Sequence, residues 1–155
     1  MTGTIEQALG VRTLASWIAD TLSAKRACDR DDNAEWSRRH AETLATLQRQ
    51  FLPHGSGIDG TREPLDKDAS RADRLVFNVD YHAMDENGMY CGWFRYIVVA
   101  TPSFDGVDVS VRRGQRRSRA FYDDGAMDWI ADCFRTALSA KVGHMPSGAL
   151  VAIEH

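Results

Sequence analysis

The sequence predicts an α+β fold, with an N-terminal helical hairpin, a three-stranded antiparallel sheet, and a C-terminal helix packed on one sheet face. Three observations carry this prediction. Apolar residues recur at helical spacing in two segments before residue 52 and in one after residue 124. Between them, residues 75–84 alternate, with an apolar face at Leu75, Phe77, Val79, Tyr81 and Ala83 and a mixed face at Val76, Asn78, Asp80, His82 and Met84. The pairs Asn87-Gly88 and Asp105-Gly106 supply turns. The chain has 155 residues, about one domain's worth where domains run roughly 100–200. An apolar fraction of 43% is ordinary for a globular chain and excludes disordered, collagenous and coiled-coil classes. Residues 1–155 therefore read as a single domain.

The first helix spans about 11–27, where Leu14, Trp17, Ile18 and Leu22 form a stripe that Thr21 and Lys25 extend. The run Asp29-Arg30-Asp31-Asp32-Asn33 breaks it, and the Asn33 side chain can accept an amide hydrogen bond to cap a second helix over 33–52. That helix carries Trp36, His40, Thr43, Leu44, Leu47 and Phe51 on one stripe. It ends near Leu52 because Pro53 disfavours helical geometry in the residue before it. The short joining turn predicts an antiparallel hairpin. Residues 53–73 read as a long connection broken by Pro53, Gly55, Gly57, Gly60 and Pro64, and loops of that length are more often functional or mobile than incidental.

The sheet occupies 74–113. Leu75, Phe77, Val79, Tyr81 and Ala83 share one face of the first strand. With a two-residue turn at Asn87-Gly88, Tyr81 faces Phe94, Val79 faces Tyr96 and Phe77 faces Val98. A turn at Asp105-Gly106 places Val111 opposite Ala100 and adds Val107, Val109 and Val111 to the same apolar face. One buried side needs helices to cover it. A last helix over 124–140, capped by Asp123 or Asp124, presents Met127, Ile130, Cys133, Phe134, Ala137 and Leu138, with Gly143 just past its end. The tail Ala149–Ile153 supplies a fourth strand or packs on the core.

The charge is uneven. Nineteen Lys and Arg against 22 Asp and Glu give −3, which excludes a basic nucleic-acid coat and an acidic tail protein. A basic loop over 112–119 nonetheless holds Arg112, Arg113, Arg116, Arg117 and Arg119, leaving −8 on the rest of the chain. No apolar run approaches the roughly 20 residues that cross a bilayer. The start, Met1 to Gly10, contains Glu6 and lacks a positively charged, apolar-cored segment. Three cysteines in no CxxC spacing read as reduced thiols, and a cytoplasmic protein with no membrane partner is expected.

Four constellations are candidates for chemistry. On the outer face of the first hairpin, Asp80 falls opposite Arg95, His82 opposite Trp93, and Met84 opposite Cys91. A cross-strand ion pair beside Trp93 makes a partner-binding patch, since Trp and Arg anchor interfaces; the alternative is that the long loop or the tail packs over this face. The loop His54-Gly55-Ser56-Gly57-Ile58-Asp59 offers amides for an anion nest or forms a structural turn. It lacks the Gly-Lys-Ser/Thr of a phosphate loop and the spacing of a nucleophile elbow. Should that loop cross the outer face, His54, Asp59, Asp80 and His82 would make a metal or acid–base group suited to hydrolysis or nuclease chemistry. No spacing forces that convergence, and His40 reads as a core or boundary residue. The arginines match phosphate or carboxylate, so RNA, DNA or an acidic protein surface fits them. No metal, cofactor or catalytic residue is assigned.

The segments Leu52-Pro53, Gly55-Ser56-Gly57-Ile58-Asp59, Tyr81-His82-x-Met84 and Gly88-x-Tyr90-x-Gly92-Trp93 resemble small proteins carried by phages and other mobile elements. The resemblance covers roughly residues 34–104. His54 departs from it, standing where a small residue is expected. It carries over no catalytic residue and implies context instead: a protein that binds a host protein or ribonucleoprotein complex, as anti-CRISPR inhibitors do. The order helix, three strands, helix is also that of the double-stranded RNA-binding domain. The acidic Asp123-Asp124-Gly125 replaces that domain's lysine-rich helix start.

Overall fold

A computed structural model describes residues 8–53, 63–84, 87–103, 106–116 and 124–153. The chain opens on a strand that the periodicity does not reveal, β1 (Leu9–Thr13), and α1 runs over Leu14–Arg30 rather than 11–27. The start is set by Thr13, whose hydroxyl accepts the Ser16 amide at 3.2 Å. Residues before it are held as strand by pairing Arg12 with Val142 and Thr13 with Lys141. At the other end Asp32 adopts a left-handed conformation (φ 55°), turning the chain into Asn33. The Asn33 side chain accepts the Trp36 amide, as the sequence predicts, and opens α2 (Ala34–Phe51).

α2 buries Leu44, Leu47 and Gln48, while Trp36 at the head of the expected stripe is 49% exposed. Only the C-terminal half of that stripe joins the core. His40 is a boundary residue, its Nδ1–H donating to the Trp36 carbonyl at 2.7 Å. Asp29 accepts hydrogen bonds from Lys25 one turn earlier on α1 and, across the hairpin, from Ser37 of α2.

From residue 63 onward the long connection is ordered against the body. Pro64–Asp66 runs beside the next strand: the Asn78 amide donates to Pro64 O (2.7 Å), and the Asp66 amide to Val76 O (2.8 Å). Two buried polar side chains hold it there. Gln48 accepts the Leu65 amide at 2.8 Å and donates to Leu44 O. The Ser70 hydroxyl accepts the Val76 amide at 2.8 Å and donates to Val76 O. The first part of the connection, 54–62, lies outside the described residues.

β2 (Leu75–Met84), β3 (Tyr90–Ser103) and β4 (Gly106–Arg116) form an antiparallel sheet in that order. The expected β2–β3 register holds from Leu75↔Ala100 to Ala83↔Gly92. It then slips by one residue, and Met84 pairs with Tyr90 rather than Cys91, with Gly92 at φ 130°. Between β3 and β4 the register differs by two from the expectation. Val111 lies opposite Val98, not Ala100, because Gly106 begins the strand opposite Ser103 instead of sitting in the turn. A shift of two preserves the faces. The expected basic loop is largely strand: β4 extends through Arg116, and residues 117–119 lie outside the described residues.

Phe77, Val79, Phe94, Tyr96, Val98 and Ala100 are buried on the inner face. α1 covers it with Leu14, Ile18 and Leu22. α3 (Asp124–Ser139) covers it with Ile130, Phe134 and Leu138, the Phe134 ring 5.3 Å from that of Phe77. α2 packs on α1. The tail does form a strand, but in a second sheet ordered β1, β5 (Lys141–His144), β6 (Leu150–Ile153). Gly143 therefore sits within β5 and does not stop α3; a Cβ there would meet Val11 Cγ2 at 3.0 Å. The Trp17 indole donates to Val142 O at 2.7 Å and ties this sheet to α1. Among the described residues no helix is long and apolar enough to cross a membrane, and Cys28 and Cys133 are free thiols.

Two predictions follow from these anchors. Gln48→Leu leaves the buried Leu65 amide without its acceptor, and should lower unfolding stability by about 1–3 kcal/mol in urea titrations. At the hairpin, the hydrogen bonds from Lys25 and Ser37 hold the Asp29 carboxyl below its ordinary value. A carboxyl lowered on folding stabilises above its unfolded pKa, and that contribution is lost as pH falls through the folded value. Asp29→Asn should therefore be less stable than the parent at neutral pH and converge with it in acid, as read from melting curves across pH.

Candidate functional site

Strand alternation sends Val76, Asn78, Asp80 and His82 of β2 to the face away from the helices, with Arg95, Ile97 and Val99 of β3 and Asp108, Ser110 and Arg112 of β4. The expected cross-strand pair is present. Arg95 Nε donates to Asp80 Oδ1 at 3.0 Å, and Nη2 to Oδ2 at 3.4 Å. Both side chains are partly exposed, at 38% and 26%. The hydrogen bond to Asp80 pushes the Arg95 guanidinium above its ordinary value, so it stays charged at any working pH.

One end of this face is covered. Asp66 accepts a hydrogen bond from Asn78 Nδ2 at 3.3 Å, and Val76 is only 4% exposed where the 64–74 segment folds against it. The alternative weighed for the long loop thus holds for its second half. Beside this cover Ile97 and Val99, opposite Asn78 and Val76, are half-buried; farther along Asp80, His82 and Arg95 are also half-buried, and Arg112 is exposed.

His82 lies opposite Trp93 in the register; the Trp93 side chain is outside the described set. Arg112 lies opposite Ile97 on the outer face, whereas Arg113 lies opposite Tyr96, at an inner-face position beyond the helical cover, and is exposed. Arg116 lies opposite Phe94 in β4, its side chain outside the described set, as are Arg117 and Arg119 entirely. His54 and Asp59 also lie outside it, so the imagined His54–Asp59–Asp80–His82 group has only two described members. Among the described residues no three His, Cys, Asp or Glu side chains gather closely enough to hold a metal ion.

Ile97 and Val99 were not singled out from the sequence, although a signal was there. Tyr96-Ile97-Val98-Val99-Ala100 is continuously apolar, and that is how a strand covered on both faces reads. Gly114 completes the local geometry. A bulge separates Phe94↔Arg116 from Tyr96↔Arg113, and a Cβ on Gly114 would stand 2.9 Å from the Arg95 carbonyl oxygen. The glycine lets β4 close on β3 behind the Arg95 backbone. No family model matches this chain, and no curated protein or solved structure is significantly similar to it.

Gly114→Val should push β4 away from β3 and cost about 1–3 kcal/mol. In amide exchange experiments, protection is expected to fall at the β3–β4 ladder while the second sheet keeps its own.

Proposed function

We propose that this protein works by binding a protein partner through the outer face of the β2–β3–β4 sheet. One observation carries the reading: β3 is apolar on both faces, while α1 and α3 cover only the inner one. Ile97 stands half-buried with Arg95 two residues before it and Arg112 opposite it. Half-buried Val99 continues the apolar strip toward the covered Val76, so that charged residues rim its open end, as at the edge of an interface.

Magnitudes divide the work between these groups. A partly exposed ion pair such as Arg95–Asp80 contributes about 0–1 kcal/mol, whereas fully burying a Val or Ile side chain contributes about 1.5–3 kcal/mol. The apolar pair supplies affinity, and the arginines supply orientation toward an acidic surface. Resemblance to mobile-element proteins gives this binding a biological form, inhibition of a host defence complex by occupying one of its surfaces.

The nucleic-acid reading needs the arginines to act as one patch, and β4 directs Arg112 and Arg113 to opposite faces. Affinity capture from host lysate tests the protein-binding reading. A stoichiometric protein should come down with the parent and be lost with Ile97→Thr, which keeps a β-branched strand residue, and with Arg112→Glu, with the fold retained in both. Capture that survives both substitutions, or that consists of nucleic acid and weakens steeply with salt, would overturn it.

A further inference from the structure

A cavity of about 420 Å³ lies away from the outer sheet face, where the two sheets meet the ends of α1 and α3. Thr13 and Ser16 line it from the start of α1, Ser103 from the end of β3, Gly106 from the start of β4, Ser139 from the end of α3, and Lys141 from the start of β5. Three segments distant in sequence converge there, held by the Thr13↔Lys141 pair of the second sheet and the Leu14 amide donating to Ala140 O at 2.8 Å.

The lining is rich in unspent donors. Among the described residues no side chain or carbonyl bonds the Lys141 ammonium, and the hydroxyls of Ser16 and Ser139 likewise have no protein partner. Thr13 accepts the Ser16 amide and keeps its hydroxyl proton to donate. Only the Ser103 hydroxyl is committed, donating to Gly106 O at 3.1 Å. The first-turn amides of Leu14 and Ser16 are already bonded, so the case rests on side chains rather than on the helix end.

We infer that this cavity binds a small phosphate monoester, with Lys141 as the charge and the hydroxyls of Thr13, Ser16 and Ser139 as donors around it. A single ammonium amid hydroxyls contributed by separate elements suits a tetrahedral oxyanion, which accepts bonds on every oxygen. A planar carboxylate is better matched by the arginine fork, and among the described residues no arginine lines the cavity. The volume falls within the roughly 300–1,000 Å³ of small-molecule sites and leaves room for an organic remainder beside the phosphate. Gly106 and Pro102 form the wall without charge that such a remainder meets.

Isothermal titration of the full chain with glycerol 3-phosphate tests this, with inorganic phosphate and sodium chloride of equal ionic strength in parallel. Saturable binding of glycerol 3-phosphate is expected, with inorganic phosphate weaker and chloride inert. Lys141→Met should weaken the ester at least tenfold, and Lys141→Arg should retain most of the binding. Ser103→Asp, which sets a carboxylate at the exposed mouth without altering the interior, should also abolish binding and serves if Lys141→Met does not fold. Absence of saturable binding, inorganic phosphate binding while the ester does not, or ester binding unchanged in Lys141→Met or Ser103→Asp would overturn the assignment.

Discussion

The architecture depends on how one sheet is covered. Phe77, Phe94, Tyr96 and Val98 must leave water together, and they do so beneath Ile18 and Leu22 of α1 and Ile130 and Phe134 of α3. Each such side chain contributes about 1.5–3 kcal/mol by burial, which outweighs every exposed ion pair on the helices. The inner face uses both of these helices. α2 packs on α1 and does not reach the outer face, and the 64–74 segment, pinned by Gln48 and Ser70, reaches only its Val76 end. The apolar strip at Ile97 and Val99, left half-buried without a helix over it, is therefore a consequence of topology, and it is where a partner's surface gains most.

Elements whose pattern has a single periodicity were legible. The alternation of β2 and the Asn33 cap appear where the sequence places them, because each is decided within a few residues. What failed was decided at longer range. β1 is too short to show a period, and it is a strand only because β5, about 130 residues later, pairs with it. Gly143 reads as a helix stop until its neighbour Val11 is known, and then its missing side chain is what lets β1 approach β5. Trp36 shares the helical spacing of Leu44 and Leu47 yet stays exposed, since periodicity defines a stripe without saying how far the core extends along it.

The candidate site was legible in part for the same reason. Asp80 and Arg95 follow from register alone. The arginine run did not, because a cluster of like charges reads as a loop, whereas β4 continues into it as far as Arg116 with a bulge near Gly114. Alternation then divides what composition presents as one basic patch. The charge contrast between an acidic body and these arginines persists, but it is spread over both faces of an edge strand.

The central claim is that the outer sheet face meets a protein, and site-specific photocrosslinking addresses it most directly. A benzophenone side chain in place of Arg112, and another in place of the exposed Arg38 on α2, would be irradiated in host cells expressing each variant. The account predicts a discrete protein adduct from position 112 and none from position 38. Adducts from position 38 alone would contradict it.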